Sequence, residues 1–381
     1  MEHNIKFKLY QEIISKYGSP VFLYHTQHIK DQYNKLKKSF SAINTGIHYA
    51  MKANSNLNIL KIILELGGGI DAVSLKEVEI AIETGFAKEK IIYTPSCVSI
   101  EEIEQVMSKN VIIHFGAMEY LELLGEKLRG KEIGIRINPA IEIEGNQKII
   151  TSHQNSKFGI PDKFLNKVTK LEKKYGFEII GLHIHLGSNI KNTEKLIKST
   201  KNQFSYIPYF KNLKYLDLGG GLKVKYHRDD EEFDLEEYAE FINNELQNLK
   251  YEIEIKIEPG KFLVANSGFL MTKANIVKQG HSKKYVGINS GFNHLIRPMY
   301  YEAYHEIVNI SNPNGKLEKY DIVGQLCEED TFAYDREINE VRIGDIIVIE
   351  SAGAYAFSMA MEYNMREKPK EIFIDGNNYF E

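Results

Sequence analysis

Short runs of β-branched and apolar residues recur at positions 47–51, 69–73, 91–94, 111–115, 133–137, 179–185, 215–218 and 253–257. Most are separated by lysine- and glutamate-rich stretches, such as 75–84 and 99–107, whose apolar residues return every three or four positions. A continuous apolar run is the mark of a strand covered on both faces. A 3.6-residue period is the mark of a helix with one face in water. Eight strands alternating with helices predict a parallel (β/α)8 barrel over residues 27–266, with an open doubly wound sheet as the structural alternative. Beyond residue 266 the texture changes. Apolar runs at 285–288, 320–323 and 345–349 are divided by turn signals, Asn312-Pro313-Asn314-Gly315 and Arg342-Ile343-Gly344-Asp345, and long helical patterns are scarce. That predicts an all-β domain, sandwich or barrel-like, over residues 267–381. A further strand, Val21-Phe22-Leu23-Tyr24, precedes the barrel and is expected to carry residues 1–26 into the β-domain.

The 381-residue length allows two domains with ample cores, and 43% hydrophobic with 26% charged residues is ordinary globular composition. The net charge is -4, and no basic patch interleaves with aromatics, so neither nucleic acid nor a membrane is expected as a partner. Two cysteines, Cys97 and Cys327, imply neither a disulfide framework nor a zinc cluster. The opening Met1-Glu2-His3-Asn4-Ile5-Lys6 lacks the apolar core of a signal peptide, so a cytoplasmic location is expected.

Four stretches carry candidate chemistry. Lys52 ends the first barrel strand, on the side where α/β barrels place their reactive groups. A low-dielectric pocket there turns a lysine into a nucleophile toward aldehydes. Gly219, Gly220 and Gly221 follow the seventh strand, where bare backbone N–H groups can face a phosphate. Glu258 ends the eighth strand, and a carboxylate buried there needs a partner; the ring nitrogen of pyridoxal 5'-phosphate is one. His183 and His185 end the sixth strand at the spacing of one strand face. With no third ligand at an obvious spacing, no metal is expected. His185 is read as stacking on a cofactor ring and Ser188 as meeting a phosphate.

These residues resemble the fold-type III pyridoxal-phosphate decarboxylases, with the alanine racemase/ornithine decarboxylase-like architecture, and within them the diaminopimelate decarboxylases. The resemblance runs through residues 48–54, 71–74, 157–160, 185–188, 219–221, 258–260, 295–298, 303–307, 327–328 and 353–359. It implies a barrel plus a β-domain, an amino-acid substrate and pyridoxal 5'-phosphate as cofactor. By position it implies covalent attachment of the cofactor at Lys52, with Glu258 on the ring nitrogen and His185 on a ring face. Ser188, Gly219, Gly220, Gly221, Gly260 and Tyr355 would surround the phosphate. Cys327 and Glu328 would reach in from a neighbouring subunit of a homodimer, and Arg297, Tyr301, Tyr355 and Lys261 would meet the substrate.

The departures from the family pattern cluster. Lys261 stands where the family has arginine. The family's Cys-Glu-Ser-x-Asp is one residue shorter, as Cys327-Glu328-Glu329-Asp330, and its Tyr-Asn-Ser-Arg-Pro reads Tyr363-Asn364-Met365-Arg366-Glu367. The cofactor half is intact while the half that meets the far end of the substrate is altered. The expectation is therefore an α-decarboxylase of a diamino acid or a carboxylate-bearing derivative of one. The alternatives are a siderophore-type decarboxylase of a citryl–diamino acid conjugate, and a non-catalytic pyridoxal-phosphate-binding homologue. An amino-acid racemase is disfavoured, because such enzymes avoid a strong acid at the position of Glu258.

Overall fold

The computed structural model describes residues 2–141, 150–188, 190 and 193–381. Its chain divides into two compact units. One comprises Lys30–Val224 and Glu232–Phe262; the other comprises Met1–Ile29, Lys225–Glu231 and Leu263–Glu381. The strand β1 (Val21–His25) belongs to the second unit and is taken up with it below.

The first unit holds β2 (Thr45–Ala50), β3 (Gly69–Ala72), β4 (Ile91–Tyr93), β5 (Ile112–Phe115), β6 (Glu132–Asn138), β7 (Ile160–Pro161), β8 (Glu178–His183), β9 (Tyr215–Asp217) and β10 (Glu254–Ile257). All pair in parallel, in the order β2-β3-β4-β5-β6-β8-β9-β10, and β10 returns to β2 through Ile255↔Thr45 and Ile257↔Ile47. Eight strands thus close a barrel with no free edge, and the two-residue β7 hangs on β6. All eight predicted strands are present, trimmed or extended by one or two residues.

The surrounding helices start where the sequence supplies caps. Ser74 accepts the Glu77 N–H at the head of Leu75–Thr84, and Ser99 accepts the Glu102 N–H at the head of Ile100–Lys109. Asp234 does the same for Leu235–Gln247. Each helix turns its apolar stripe inward. In Leu57–Glu65 the buried residues are Ile59, Leu60, Ile62 and Ile63. Truncating one such residue to alanine removes about 2–5 kcal/mol, because the site cannot fully collapse.

The barrel interior is unusually polar. His48, His114, Arg136, His183, Asp217, Lys256 and Glu258 are all buried. Glycines on neighbouring strands make room for the large rings. A Cβ on Gly181 would lie 1.9 Å from Tyr215 Cζ, and one on Gly134 would lie 2.3 Å from His114 Cδ2.

In the second unit, β1 sits between β11 (Gly268–Gln279), with which it runs antiparallel, and β17 (Lys370–Asp375), with which it runs parallel. The other strands are β12 (Lys284–Ile288), β13 (Ile307–Asn309), β14 (Leu317–Val323), β15 (Thr331–Asn339), β16 (Ile346–Ile349) and β18 (Asn378–Phe380). They form one mixed sheet ordered β15-β14-β12-β11-β1-β17-β18, with β16 also on β11 and β13 on β16. Val21, Leu23, Met271, Ile346, Val348, Ile372 and Ile374 make one core, shared with Ile13 and Ile14 of a helix, Glu2–Tyr17. The sequence reading placed only a strand in this amino-terminal segment. The helix forms because no glycine or proline interrupts the chain before Gly18, and Tyr10, Ile13, Ile14 and Tyr17 recur at helical spacing.

Candidate active site

The barrel strands deliver the candidate residues at their carboxyl ends. Lys52 lies one step past its predicted strand, in the single 3-10 turn Met51–Ala53 that follows β2. The polar residues after it are a structural device. Asn54 accepts the Asn56 N–H (3.1 Å), and Asn56 caps the helix Leu57–Glu65 through the Asn58 N–H (2.9 Å). Lys52 Nζ is 2.6 Å from Asp71 Oδ2 at the end of β3. Asp71 is almost fully buried. Burial first, and then Glu258, raise its carboxyl above the usual range, while Lys52 draws it back.

Glu258 is held by its own backbone, whose N–H donates to Gly219 O (2.8 Å). Its Oε2 is 3.2 Å from His183 Nε2, and its Oε1 is buried without a partner. Burial raises its carboxyl, against the pull of Lys52 and Arg136. Asp217 Oδ1 accepts the Gly219 N–H (2.9 Å), and its Oδ2 is 4.0 Å from His114 Nδ1. Burial and then Glu258 push the Asp217 carboxyl well above the ordinary range. Two carboxyls in one dry pocket cannot both carry charge cheaply. The pair therefore keeps a proton between them, and the upward push is the stronger on Asp217.

His185 Nδ1 accepts the Gly220 N–H at 3.0 Å. That bond fixes the neutral tautomer with its hydrogen on Nε2, and burial holds the ring well below the ordinary histidine range. Gly219 has φ +67 and Gly221 φ +97, conformations that favour glycine. A Cβ on Gly220 would lie 2.2 Å from Glu258 O, so the loop admits no side chain there. The segment carrying Ser188 runs beside this loop, joined by the Ile190 N–H to Gly221 O bond (2.9 Å). Gly260 abuts the Lys52 turn, where an added Cβ would lie 3.3 Å from those of Ala50 and Ala53. Lys261 is buried at the start of the helix Lys261–Val264.

The fold thus brings Lys52, His185, Ser188, Gly219, Gly220, Gly221, Glu258, Gly260 and Lys261 together around one barrel mouth. It also supplies what the sequence reading lacked. His183 gains neighbours with ligating atoms: those of His114, His183 and Glu258 all lie within 4.8 Å of one another. Arg136 stacks on the Phe158 ring at 4.7 Å and leaves Nη2 buried and unpaired. The available signal was a polar residue inside an apolar strand, as in Ile112-Ile113-His114-Phe115 and Ile135-Arg136-Ile137.

The remaining candidates lie in the β-domain. Arg297 is buried at the start of the helix Arg297–Tyr301, with its guanidinium over the rings of Tyr226 (5.1 Å) and Tyr301 (6.0 Å). Its Nε donates to His305 Nε2 (3.3 Å), whose Nδ1 faces Glu350 O (2.8 Å). Among the described residues Arg297 has no carboxylate partner. Tyr355 has φ +54 and follows Gly353, where a Cβ would lie 1.8 Å from Val264 O. Cys327 and Glu328 are exposed and in contact with Tyr363. The shortened loop folds around buried Asp330, which accepts the Phe292 N–H (2.7 Å) and the Leu326 N–H (3.2 Å).

The buried anion, the strand-end lysine and the side-chain-free glycine loop fit an aromatic aldehyde phosphate. Residues 26–265 match the family described as pyridoxal-dependent decarboxylase, pyridoxal binding domain. The chain belongs to the pyridoxal-dependent decarboxylases, in the diaminopimelate decarboxylase family. It is 32% identical to the diaminopimelate decarboxylase of Methanothermobacter thermautotrophicus, over 95% of this chain and 88% of that one. It is 35% identical to that of Helicobacter pylori, over 96% and 93%. The crystal structure of the Helicobacter pylori enzyme complexed with L-lysine superposes with a TM-score of 0.90 at 32% identity, over 97% of this chain and 95% of that one. A lysine/ornithine decarboxylase from Vibrio vulnificus, at 19% identity and a TM-score of 0.85, shares the fold. This decarboxylase therefore uses pyridoxal 5'-phosphate and acts on an amino acid. Among its described residues no helix is long and apolar enough to cross a membrane.

Proposed function

We propose that this decarboxylase acts on diaminopimelate, releasing carbon dioxide and lysine, as a homodimer in the cytoplasm. The observation that carries the reading is the Lys52–Asp71–Glu258 constellation at the barrel mouth, in a chain aligned end to end with diaminopimelate decarboxylases. Lys52, Glu258, His185, Ser188, Gly219, Gly220, Gly221, Gly260 and Tyr355 would hold the cofactor. When bound, pyridoxal phosphate supplies an electron sink for the pair left behind as the α-carboxylate departs.

The chain's own groups do the rest. Lys52 would hold the aldehyde carbon, its amine oriented beforehand by Asp71. Glu258, kept anionic by the proton on Asp217, would hold a proton on the ring nitrogen and so strengthen the sink. The neutral His185 ring would lie against the cofactor and exclude water. Cys327 of the neighbouring subunit gives its thiol proton to the α-carbon after carbon dioxide leaves. Arg297, a buried cation without a carboxylate partner among the described residues, is matched to an anionic far end of the substrate, with Tyr301 beside it and Glu328 reaching in from the neighbouring subunit.

One observation favours a second reading. Lys261 offers a point charge where an arginine would offer a planar two-point clamp, which suits a longer carboxylate-bearing conjugate, such as a citryl–diamino acid. Carbon dioxide release measured with meso-diaminopimelate, lysine, ornithine, arginine and citryl–diamino acid conjugates decides between them. The highest kcat/KM is expected for meso-diaminopimelate; a higher value for a conjugate replaces the first reading with the second.

A further inference from the structure

Cys327 does not stand alone on the β-domain surface. Its Sγ is 3.5 Å from Asn364 Nδ2, 3.6 Å from Tyr363 Oη and 3.6 Å from Glu328 Oε2. The Tyr363 hydroxyl in turn donates to Glu328 Oε1 in a close contact, which raises the phenol above its ordinary range, chiefly through Glu328 and then Cys327. Three polar groups from two loops thus converge on one thiol. The turn that delivers two of them, Tyr363–Met365, is not a relaxed one. Asn364 has φ +53 and Met365 φ +55, two successive side-chain-bearing residues in the left-handed region. Asparagine tolerates that conformation, but methionine gains nothing from it, and Met365 is 97% exposed, so packing does not hold it there. Such backbone persists where neighbouring contacts over-determine it, and it collects at functional sites.

We propose that Tyr363 and Asn364 are positioning residues that receive the charge formed on Cys327 when it gives up its proton. The inference rests on the proposed role of that thiol. In the resting state the phenol donates to Glu328 Oε1, and the S–H faces both Glu328 Oε2 and the phenol oxygen. When the S–H bond breaks and its proton goes to the α-carbon, the electron pair stays on sulfur. The Asn364 N–H already faces that sulfur, and the phenol O–H can turn from Glu328 to it. Donors aimed at the atom where charge develops stabilise the product of the step more than its reactant. Water returns a proton to sulfur before the next turnover.

The test uses the pyridoxal-phosphate-loaded enzyme with Cys97→Ser, which leaves Cys327 as the single thiol. Alkylation by iodoacetamide reads the thiolate directly, without turnover or any assumption about the substrate. Tyr363→Phe and Asn364→Gly each remove one donor. Each should slow alkylation about fivefold, the fold-change of one ordinary hydrogen bond. Each should lower kcat at least as much with KM unchanged. Glu328→Gln removes the neighbouring anion and should speed alkylation. Cofactor absorbance and dimer mass serve as folding controls, and Asn364→Gly relieves the backbone, so one variant remains readable if the other misfolds. An unchanged alkylation rate in both donor variants overturns the proposal. A slowed alkylation with unchanged kcat also overturns it, because the donors would then act on the resting thiol alone. If diaminopimelate is not the substrate, the alkylation result still stands.

Discussion

Asp217 and Glu258 share one dry pocket, and replacing each by its amide separates their roles. Asp217 is fully buried, and its Oδ1 accepts the Gly219 N–H at 2.9 Å. Asparagine keeps that acceptor. If Asp217 carries the proton, Asp217→Asn removes only the cost of protonating a carboxyl in neutral water. A carboxyl with an ordinary value near ~3.9 costs about 1.4 kcal/mol for every pH unit up to its folded value. The sign follows from its raised pKa. The stability such a group contributes is present below its unfolded value and is lost as pH rises through its folded one. Asp217→Asn should therefore stabilise the protein by a few kcal/mol near pH ~7, and the gain should shrink toward zero near pH ~4. Urea unfolding of the cofactor-free enzyme at several pH values measures this. In the cofactor-loaded enzyme Asp217→Asn should retain most of kcat, whereas Glu258→Gln should lose about 10²-fold or more, the scale of an electrostatic group at a reacting centre. A kcat loss in Asp217→Asn as large as in Glu258→Gln, together with destabilisation at neutral pH, would show that Asp217 is ionised and sink the proton assignment.

Four further outcomes follow from the geometry. Borohydride reduction of the loaded enzyme should fix the cofactor to the peptide holding Lys52; mass spectrometry finding it on another lysine removes that assignment. Mixing Lys52→Ala with Cys327→Ala homodimers should restore part of the activity. No recovery despite demonstrated subunit exchange places both residues in one subunit's site. Lys261→Arg should raise kcat/KM for meso-diaminopimelate by about 10- to 100-fold, the value of a restored two-point contact to a charged group; a fall shows that the pocket is built around the lysine. His114, His183 and His185 are all held neutral by burial. Their stabilisation is present above ~6.5 and is lost as pH falls, so unfolding free energy in the Asp217→Asn background should drop steeply below that value. A flat profile there contradicts the burial of neutral imidazoles.

The barrel was legible in the sequence because each strand is buried on both faces and each helix on one, and the two periods differ. Residues 91–94 and 111–115 needed no tertiary information to be recognised. The helix Glu2–Tyr17 carries its period in Tyr10, Ile13, Ile14 and Tyr17, but the partners that bury that face, Ile346, Val348, Ile372 and Ile374, come from the far end of the chain. The site shows the same division. Lys52, Glu258 and the glycine loop stand next to one another in their motifs and declare a chemistry. Asp71, His114, Arg136 and Asp217 lie on different strands, and only the barrel register brings them together: His183 pairs with both Arg136 and Asp217. A single strand carries too little pattern to reveal a proton shared across its neighbours.

Lys261, Met365 and the loop at 327–330 depart from the family pattern, whereas Glu258 does not. Glu258 has no such freedom. Its backbone is tied to Gly219, its carboxylate faces His183, and truncating it leaves a cavity in a closed barrel. Met365, 97% exposed, carries no equivalent constraint. The loop at 327–330 is anchored by Asp330, which accepts two backbone N–H groups. Arg297 is the exception on the substrate side. It is buried, stacked between two tyrosines and bonded to a histidine whose other nitrogen faces a carbonyl, an arrangement that orients a cation but leaves it without an anion among the described residues. An uncompensated buried cation is costly to keep. Under the proposed function, the far end of the substrate supplies that anion.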